Sequence, residues 1–507
     1  MSRARDLADS ADKDVTGTLT TDGLTVAGNV SVDGGTIKLD GNYPTGTTNT
    51  ALGDTALDSV QSGGGLNVAI GQSSLTGVTT GDNNTGVGAY SGITVSTGGD
   101  NSYFGAFSGY HQTGDDNTAV GYAAMNGASG QSSGSNNTAV GYSALTQNTT
   151  ASSNTAVGYQ AMVANTTGGD NVALGFRALD ANTTGNGNVA IGLNALTDNT
   201  TASNNTAVGY LALTANTTGA ANTAVGYNAG NNLTTAPSVV AIGAYAGDAI
   251  TTGGYHTAVG AGALTAATTG TGNTAIGQGS LNAVTTGVNN TGLGQSSGYA
   301  ATGNYGVFVG ARSGTSQTSG DQNTYVGEAA GYSMTTGSRN TILGRYSGNA
   351  GGVDIRTQSN HIVLSDGDGN PRLYLTDSGD LVVPRVYNAT TSNSANVQVD
   401  SVGIFRRSTS SRRYKNTISD ATHGLTELLA LRPVTYKGND DGDTVYGGLI
   451  AEEVHDAGLT EFVTYNDDNE PDALAYGNMV SLCIKAIQEQ QATITALEAR
   501  IATLEAE

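Results

Sequence analysis

The sequence has no tryptophan, one cysteine, six prolines, and charge on only 12% of its 507 residues. Each shortage excludes something. A lone thiol, Cys483, cannot close an intrachain disulfide, and no Cys/His set has the spacing of structural zinc, so no metal or cofactor is expected to hold this fold. Disordered chains are rich in charge and proline, and this one is poor in both. No run of about 18 apolar residues offers a membrane span. Met1-Ser2-Arg3-Ala4-Arg5-Asp6 leads into polar sequence without an apolar stretch, so the expectation is a chain made soluble in the cytosol. Cations are scarce as well: 20 Lys and Arg face 42 Asp and Glu, and a net charge of −22 argues against nucleic acid or anionic membrane as partners. All five lysines (Lys13, Lys38, Lys415, Lys437, Lys485) avoid residues 46–350, which hold 12 acids and 4 arginines, whereas residues 351–507 hold 23 acids. What is abundant is glycine, 75 residues, and so much glycine needs something regular to organise it.

The organiser is a repeat. One Gly recurs at 53, 71, 88, 105, 121, 141, 158, 175, 192, 209, 226, 243, 260, 277, 294, 310, 327 and 344, and from Gly141 to Gly294 every spacing is 17. The residue before it is aliphatic in 17 of 18 units, Phe104 being the exception, which predicts a buried core column. Two before it stands Ala or Gly in 14 of 18 units, and three before it Thr or Val, as in Thr138-Ala139-Val140-Gly141. Alternation with period two predicts a strand with Thr/Val and Val/Ile on one face and an obligatorily small residue on the other. That small face is expected to approach another backbone closely, most simply at the threefold axis of a trimer.

Four before the Gly is Asn in 15 of 18 units; Asn accepts left-handed turn geometry and, stacked, can hydrogen-bond from rung to rung. Four after it is Leu, Met or another Gly, followed by a Thr-Thr-Gly or Asn-Thr-Thr stretch that reads as a second turn. One such unit is one coil of a solenoid, and the 18 units predict a rod of roughly 80 Å at about 4.8 Å per rung. Tyr122, Tyr142, Tyr159, Tyr210 and Tyr227 follow the Gly directly. They predict a stack along the rod, with a ladder for sugars as the alternative. The Asn-x-Thr sequons follow from the repeat and carry no implication of glycosylation.

Before the rod, Leu24-Thr25-Val26, Val30-Ser31-Val32 and Ile37-Lys38-Leu39 predict a β-rich neck. After it, His361–Gly367 and Leu373–Leu381 predict alternating strands joined by type I′-like turns, a cap on the last rung. Leu425, Leu428, Leu429 and Leu431 have helical spacing up to Pro433, and Gly448–Val454 opens a second amphipathic piece. Val480, Ile487, Ile494 and Ile501, with Cys483, Leu497 and Leu504, repeat in heptads broken once by Gln490, which predicts a coiled coil.

Two resemblances organise these signals. Units such as Asn67-Val68-Ala69-Ile70-Gly71 resemble the heads of trimeric autotransporter adhesins, left-handed β-roll trimers, over residues 46–350, although the period here is longer. Ser408–Ile418, Leu431-Arg432-Pro433-Val434, Gly448–Val454 and the terminal heptads resemble, in order, the C-terminal intramolecular chaperone domain of phage endosialidases, tail fibres and neck appendages. That second resemblance implies a domain that trimerises its shaft and then cuts itself off with a Ser/Lys dyad. The family spacing places the nucleophile at Ser410 and its activating amine at Lys415, with cleavage between Thr409 and Ser410; Ser411, where the family often has Asp, is an alternative nucleophile, and Tyr414 stands where Leu is common. A Ser hydroxyl gains nucleophilicity from a neighbouring amine whose pKa burial has lowered.

The expected fold is therefore mainly β: a trimeric parallel β-roll or β-solenoid shaft of 17-residue repeats, then a small α+β chaperone domain ending in a coiled coil. The expected domains are an attachment tip and neck (1–45), the shaft (46–350), a β cap or connector (351–407), and the chaperone domain (408–507), with its coiled coil over about 478–507. The expected function is a homotrimeric phage tail fibre. It would be docked on tail or baseplate proteins through its N-terminus, would face a bacterial surface glycan or outer-membrane receptor, and would be made in the host cytoplasm to act outside as part of the virion. Self-cleavage is the only enzymatic activity expected. A glycan-degrading tailspike using paired carboxylates and a bacterial trimeric surface adhesin are the alternatives. An ice-binding solenoid would need the Thr column outward, whereas the Thr three before the Gly is expected inward.

Overall fold

The computed structural model describes residues 48–384 (except 62 and 129–131), 397–399, 405–407 and 415–506 (except 440, 441 and 467). The neck expected over 1–45 lies outside them. The chain divides into two compact units at Thr390/Thr391.

The first unit is the solenoid. Eighteen three-residue strands, from β1 (Thr50–Leu52) to β18 (Thr341–Leu343), stack in parallel, each in register with the next: Thr138 pairs with Thr155, Ala139 with Ala156, Val140 with Val157. The repeating Gly follows each strand with φ between about 104° and 142°, a region that side chains rarely adopt. At Gly209 an added Cβ would also overlap the carbonyl oxygen of Gly226 in the next rung, so the column admits nothing larger. Beyond it the coil turns through left-handed residues such as Ser143 and Leu145.

The inside and outside of the strand are the reverse of the expectation. Ala139, Ala156 and Ala173, the small column, are fully buried inside the coil against Leu145, Met162 and Leu179 from the opposite wall. The aliphatic column faces out: Leu52, Ile70, Val120, Leu174, Ile242 and Leu293 are 37–47% exposed, and the Thr/Val column beside it is outward too. The coil is narrow, and a wall that supplies Leu leaves room opposite only for Ala. Where the strand carries Tyr103, Phe308 or Tyr325 instead, the opposing residues are Gly109, Gly314 and Gly331, where any Cβ would strike the ring.

The Asn column forms the expected ladder. Asn171 donates its backbone N–H to Asn154 Oδ1 at 3.0 Å, and Asn188 donates to Asn171 Oδ1 at 2.8 Å. Most of these amides also reach across the coil, as Asn188 Nδ2 does to Ala202 O at 2.9 Å. Left-handed geometry falls one residue earlier, on Asn136, Ser153 and Asp170. A second buried ladder, Asn148, Asn165, Asn182, Asn199 and Asn216, runs down the stretch read as a turn; Asn182 Nδ2 donates to Asn165 Oδ1 at 2.7 Å.

After β18, β19 (Asn349–Ala350) and β20 (Val353–Asp354) make a small hairpin. β21 (Ile362–Ser365) then adds a further parallel rung on β18, and β22 (Pro371–Leu375) and β23 (Leu381–Val382) fold back antiparallel. The turns joining these three are not type I′: in each only one glycine, Gly369 or Gly379, has positive φ, and Asp366 Oδ1 accepts the N–H of Asp368 and Asn370. A lone left-handed glycine closing the loop suits a longer, bulged connection.

The second unit contains the hairpin β24 (Val397–Val399) and β25 (Phe405–Arg407), then helix α1 (Leu425–Ala430) and the hairpin β26 (Val434–Tyr436) and β27 (Tyr446–Gly448). Helix α2 (Ala451–Asp456), a 3₁₀ turn at Thr460–Phe462, the hairpin β28 (Val463–Tyr465) and β29 (Pro471–Leu474), and the long helix α3 (Tyr476–Glu505) complete it. The whole is mainly β, with the small mixed unit and its helix at the end, as the sequence implies.

Candidate functional site

The second unit carries the chemistry-bearing segment. Its core is small: Val454, Leu459, Phe462, Met479 and Leu482, with Leu428 among the residues packed against it. The segments around that core are tied by polar clamps rather than by apolar bulk. Tyr476, at the start of α3, accepts the N–H of Leu449 on its hydroxyl at 2.7 Å and so fixes the Gly448-Leu449 junction. Glu489, on α3, accepts the Leu425 N–H at 2.8 Å, and Glu427 accepts that of Gly424 at 2.7 Å, so two carboxylates satisfy the opening of α1. A side chain at Gly424 would overlap the Glu489 carboxylate.

Charged pairs close the surface. Arg432 donates through Nε and Nη2 to both carboxylate oxygens of Glu453, which holds the Glu453 carboxyl below its usual range. His423 Nδ1 lies 2.7 Å from Glu461 Oε1, and that hydrogen bond raises the imidazole pKa. Lys437 donates to Asp443 at 2.8 Å. None of these pairs was legible in the sequence, because their members are 6 to 38 residues apart with no periodicity to link them.

The proposed dyad is only partly in view. Lys415 is described and exposed, whereas Thr409, Ser410 and the alternative nucleophile Ser411 lie outside the described residues. Among the described residues no group of three or more His, Cys, Asp or Glu is placed to hold a metal ion, and no helix is long and apolar enough to cross a membrane.

The outer face of α3 is apolar. Val480, Ile487, Ile494, Leu497, Ile501 and Leu504 are 42–63% exposed, and Cys483 is exposed in the same stripe. Met479, Leu482 and Ala486, which lie beside this stripe in the first part of the helix, are buried in the unit. Between stripe and core opens an apolar cavity of about 470 Å³ lined by Leu428, Leu431, Pro433, Met479, Val480 and Cys483 among others.

On the solenoid, the tyrosines stack as the alternative to a sugar ladder requires. Tyr122, Tyr142, Tyr159 and Phe176 follow one another at 5.2–5.4 Å with ring planes within 13°. Tyr210 and Tyr227 do the same at 5.2 Å. Each inner ring has both faces covered by its neighbours, whereas a sugar needs an open face to stack on.

Residues 410–464 match the family model described as the chaperone of endosialidase. The match begins at Ser410 and ends inside β28, before α3. No curated protein and no solved structure gives a significant match to the chain. The second unit thus contains an endosialidase-type chaperone segment, carried behind a β-solenoid.

Proposed function

We propose that the protein is a homotrimeric phage tail fibre that reaches a bacterial surface through its shaft, assembled by the C-terminal chaperone unit and matured by self-cleavage between Thr409 and Ser410. The observation that carries this reading is the chaperone match over 410–464, in the same chain as a solenoid of at least eighteen rungs. Rungs that look alike can pair out of register, and a clamp at one end that gathers the copies sets the register before they zip. The heptad stripe on α3, apolar and uncovered, is the surface such a clamp needs.

In the cleavage step the Lys415 amine takes the Ser410 hydroxyl proton while Ser410 Oγ attacks the Thr409 carbonyl carbon. Collapse breaks the Thr409–Ser410 C–N bond, the amine leaves with the proton, and an ester joins the two residues. Water then hydrolyses the ester, leaving a carboxylate on Thr409 and a released piece that begins at Ser410.

Intact and native mass of wild type beside Ser410→Ala test the reading. The expected result is a trimer of chains ending at Thr409 for wild type and a full-length trimer for the variant. Full-length chains in both samples would remove the peptidase and leave residues 410–507 as a permanent cap.

A further inference from the structure

Positive charge on the solenoid unit collects near its last rungs. Of the six arginines between residues 48 and 384, five lie between 312 and 372, and no lysine joins them. The regular coil stops in the same stretch. Leu343 lies opposite Leu364, so 21 residues separate β18 from β21 instead of the usual 17, and the extra length makes the β19–β20 hairpin. Beside that hairpin opens a cavity of about 340 Å³, lined by Arg312, Tyr332, Arg345, Ser347 and Asp368 among others. Arg312 and Arg345, from the rungs before and after Glu328, each donate to one oxygen of its carboxylate, Arg345 through Nε at 2.6 Å, and hold that carboxyl below its usual range. Two guanidiniums against one carboxylate leave a positive charge over, and each keeps further N–H donors without a partner among the described residues. Tyr332 is 40% exposed and, unlike the stacked tyrosines of the shaft, has no other aromatic ring against it among the described residues. Asp368 adds an exposed carboxylate and Ser347 a hydroxyl.

We propose that this cavity binds a carboxylated pyranose, a uronic-acid residue of an acidic surface glycan, with its carboxylate on Arg312 and Arg345, its ring against Tyr332 and its hydroxyls on Asp368 and Ser347. Guanidinium forks match a carboxylate in shape as well as charge, and an aromatic ring with a free face suits the apolar side of a sugar. The mixture of groups selects among ligands. A bare anion such as phosphate would have its charge set against Asp368, a neutral sugar would leave the guanidiniums unused, and an acidic peptide side chain has no ring to lay on Tyr332. The volume is at the small end for a ligand pocket, with room for one ring rather than a chain. This assignment rests on the surface-attachment reading above and adds to it a place on the shaft and the chemistry it would recognise.

The test uses full-length protein and ligand-observed NMR. The probes are methyl glucuronide and methyl galacturonide, the neutral methyl glucoside and methyl galactoside, and N-acetylglutamate as a carboxylate without a ring. Wild type is expected to bind at least one uronide and none of the other three. Arg345→Gln and Tyr332→Ala are each expected to weaken that binding by roughly tenfold or more, whereas Arg177→Gln, whose side chain pairs with Asp180 elsewhere on the solenoid, leaves it unchanged. Should either site variant lower the thermal midpoint of the shaft, Asp368→Asn in its exposed loop supplies the milder probe and is expected to weaken uronide binding several-fold. Equal binding of the neutral glycosides or of N-acetylglutamate, or unchanged binding in the site variants, would overturn the assignment. An absence of uronide binding in protein that native mass shows cleaved and trimeric would overturn the site and leave the fibre standing. Uronide binding that Arg345→Gln abolishes, in chains that stay monomeric and uncleaved, would keep the site and remove the fibre.

Discussion

The solenoid and the chaperone unit hold themselves together by opposite means. In the solenoid nearly every rung buries an alanine or a larger apolar residue of its strand, and most bury an asparagine as well, with each contact copied in the next rung. In the chaperone unit only a handful of side chains are fully buried, and tyrosine, glutamate and arginine clamps do the joining. A repeating interior gains stability with every rung added but does not specify which rung meets which. A small clamped unit gains little stability alone but has one arrangement, and the apolar stripe of its long helix stays exposed.

The largest expected difference between the two is at glycine. Gly209→Ala forces a side chain at φ 138° into a neighbouring backbone and is expected to cost about 3 kcal/mol or more. Gly447→Ala in β27 meets nothing within 4 Å and is expected to stay within about 0.5 kcal/mol. Hydrogen exchange followed separately in each unit reads both; equal effects would erase the contrast.

Buried amides come next. Asn188→Ala removes the acceptor of the Asn205 N–H and the donor to Ala202 O, expected to cost about 2–3 kcal/mol because a buried N–H is left unsatisfied. Glu489→Ala removes the acceptor at the start of α1, where water can replace it, at about 1 kcal/mol. Urea midpoints of the two units provide the check.

The smallest and sharpest test is pH. His256 takes the place of Asn in the ladder: its Nε2–H donates to Gly270 O at 2.7 Å, and Nδ1 accepts the Asn273 N–H at 3.2 Å. Burial lowers its pKa below 6.5, so the unfolded chain binds the proton first and shaft stability falls as pH drops below about 6.5. His256→Asn is expected to flatten that slope. His423 carries the reverse sign: its raised pKa gives a contribution complete below the unfolded value and lost as pH rises through the folded one. Thermal midpoints of each unit between pH 5 and 8 (a span of about three units centred on histidine) should therefore move in opposite senses, and His423→Gln should remove the second.

How much of this was legible in the sequence follows from the same contrast. Period, strand, glycine and the first Asn ladder could be read because each column repeats. The orientation of the strand could not be read from hydrophobicity, since stacked rungs tolerate Val and Ile outside and the coil's width demands Ala within. A signal existed nevertheless: Tyr103 with Gly109, Phe308 with Gly314 and Tyr325 with Gly331 exchange large and small across the coil, which only two inward columns would do. The second ladder from Asn148 to Asn216 was hidden because Asn beside Thr-Thr reads as a turn. In the chaperone unit the helices were visible from leucine spacing up to Pro433, whereas Tyr476–Leu449 and Glu489–Leu425 join residues 27 and 64 apart.

The hydrogen bonds of the Asn ladder run one way, and that direction gives the shaft a defined end. Each Asn oxygen is taken by the rung that follows, until His361 donates its N–H to Asn340 Oδ1 at 2.9 Å and turns its own ring back to Ser359 O. There β22 pairs antiparallel with β21 and takes the edge on which another parallel rung would dock. Between that stop and Asn49, the inventory of rungs is free to change. The spacings of 16 from Gly105 to Gly121 and 20 from Gly121 to Gly141 leave strand register intact, so extra residues are absorbed in the turns. A gene that duplicates or deletes one whole unit thus lengthens or shortens the shaft by a single step of about 4.8 Å, and reach becomes a trait that recombination between repeats can tune without redesigning either end.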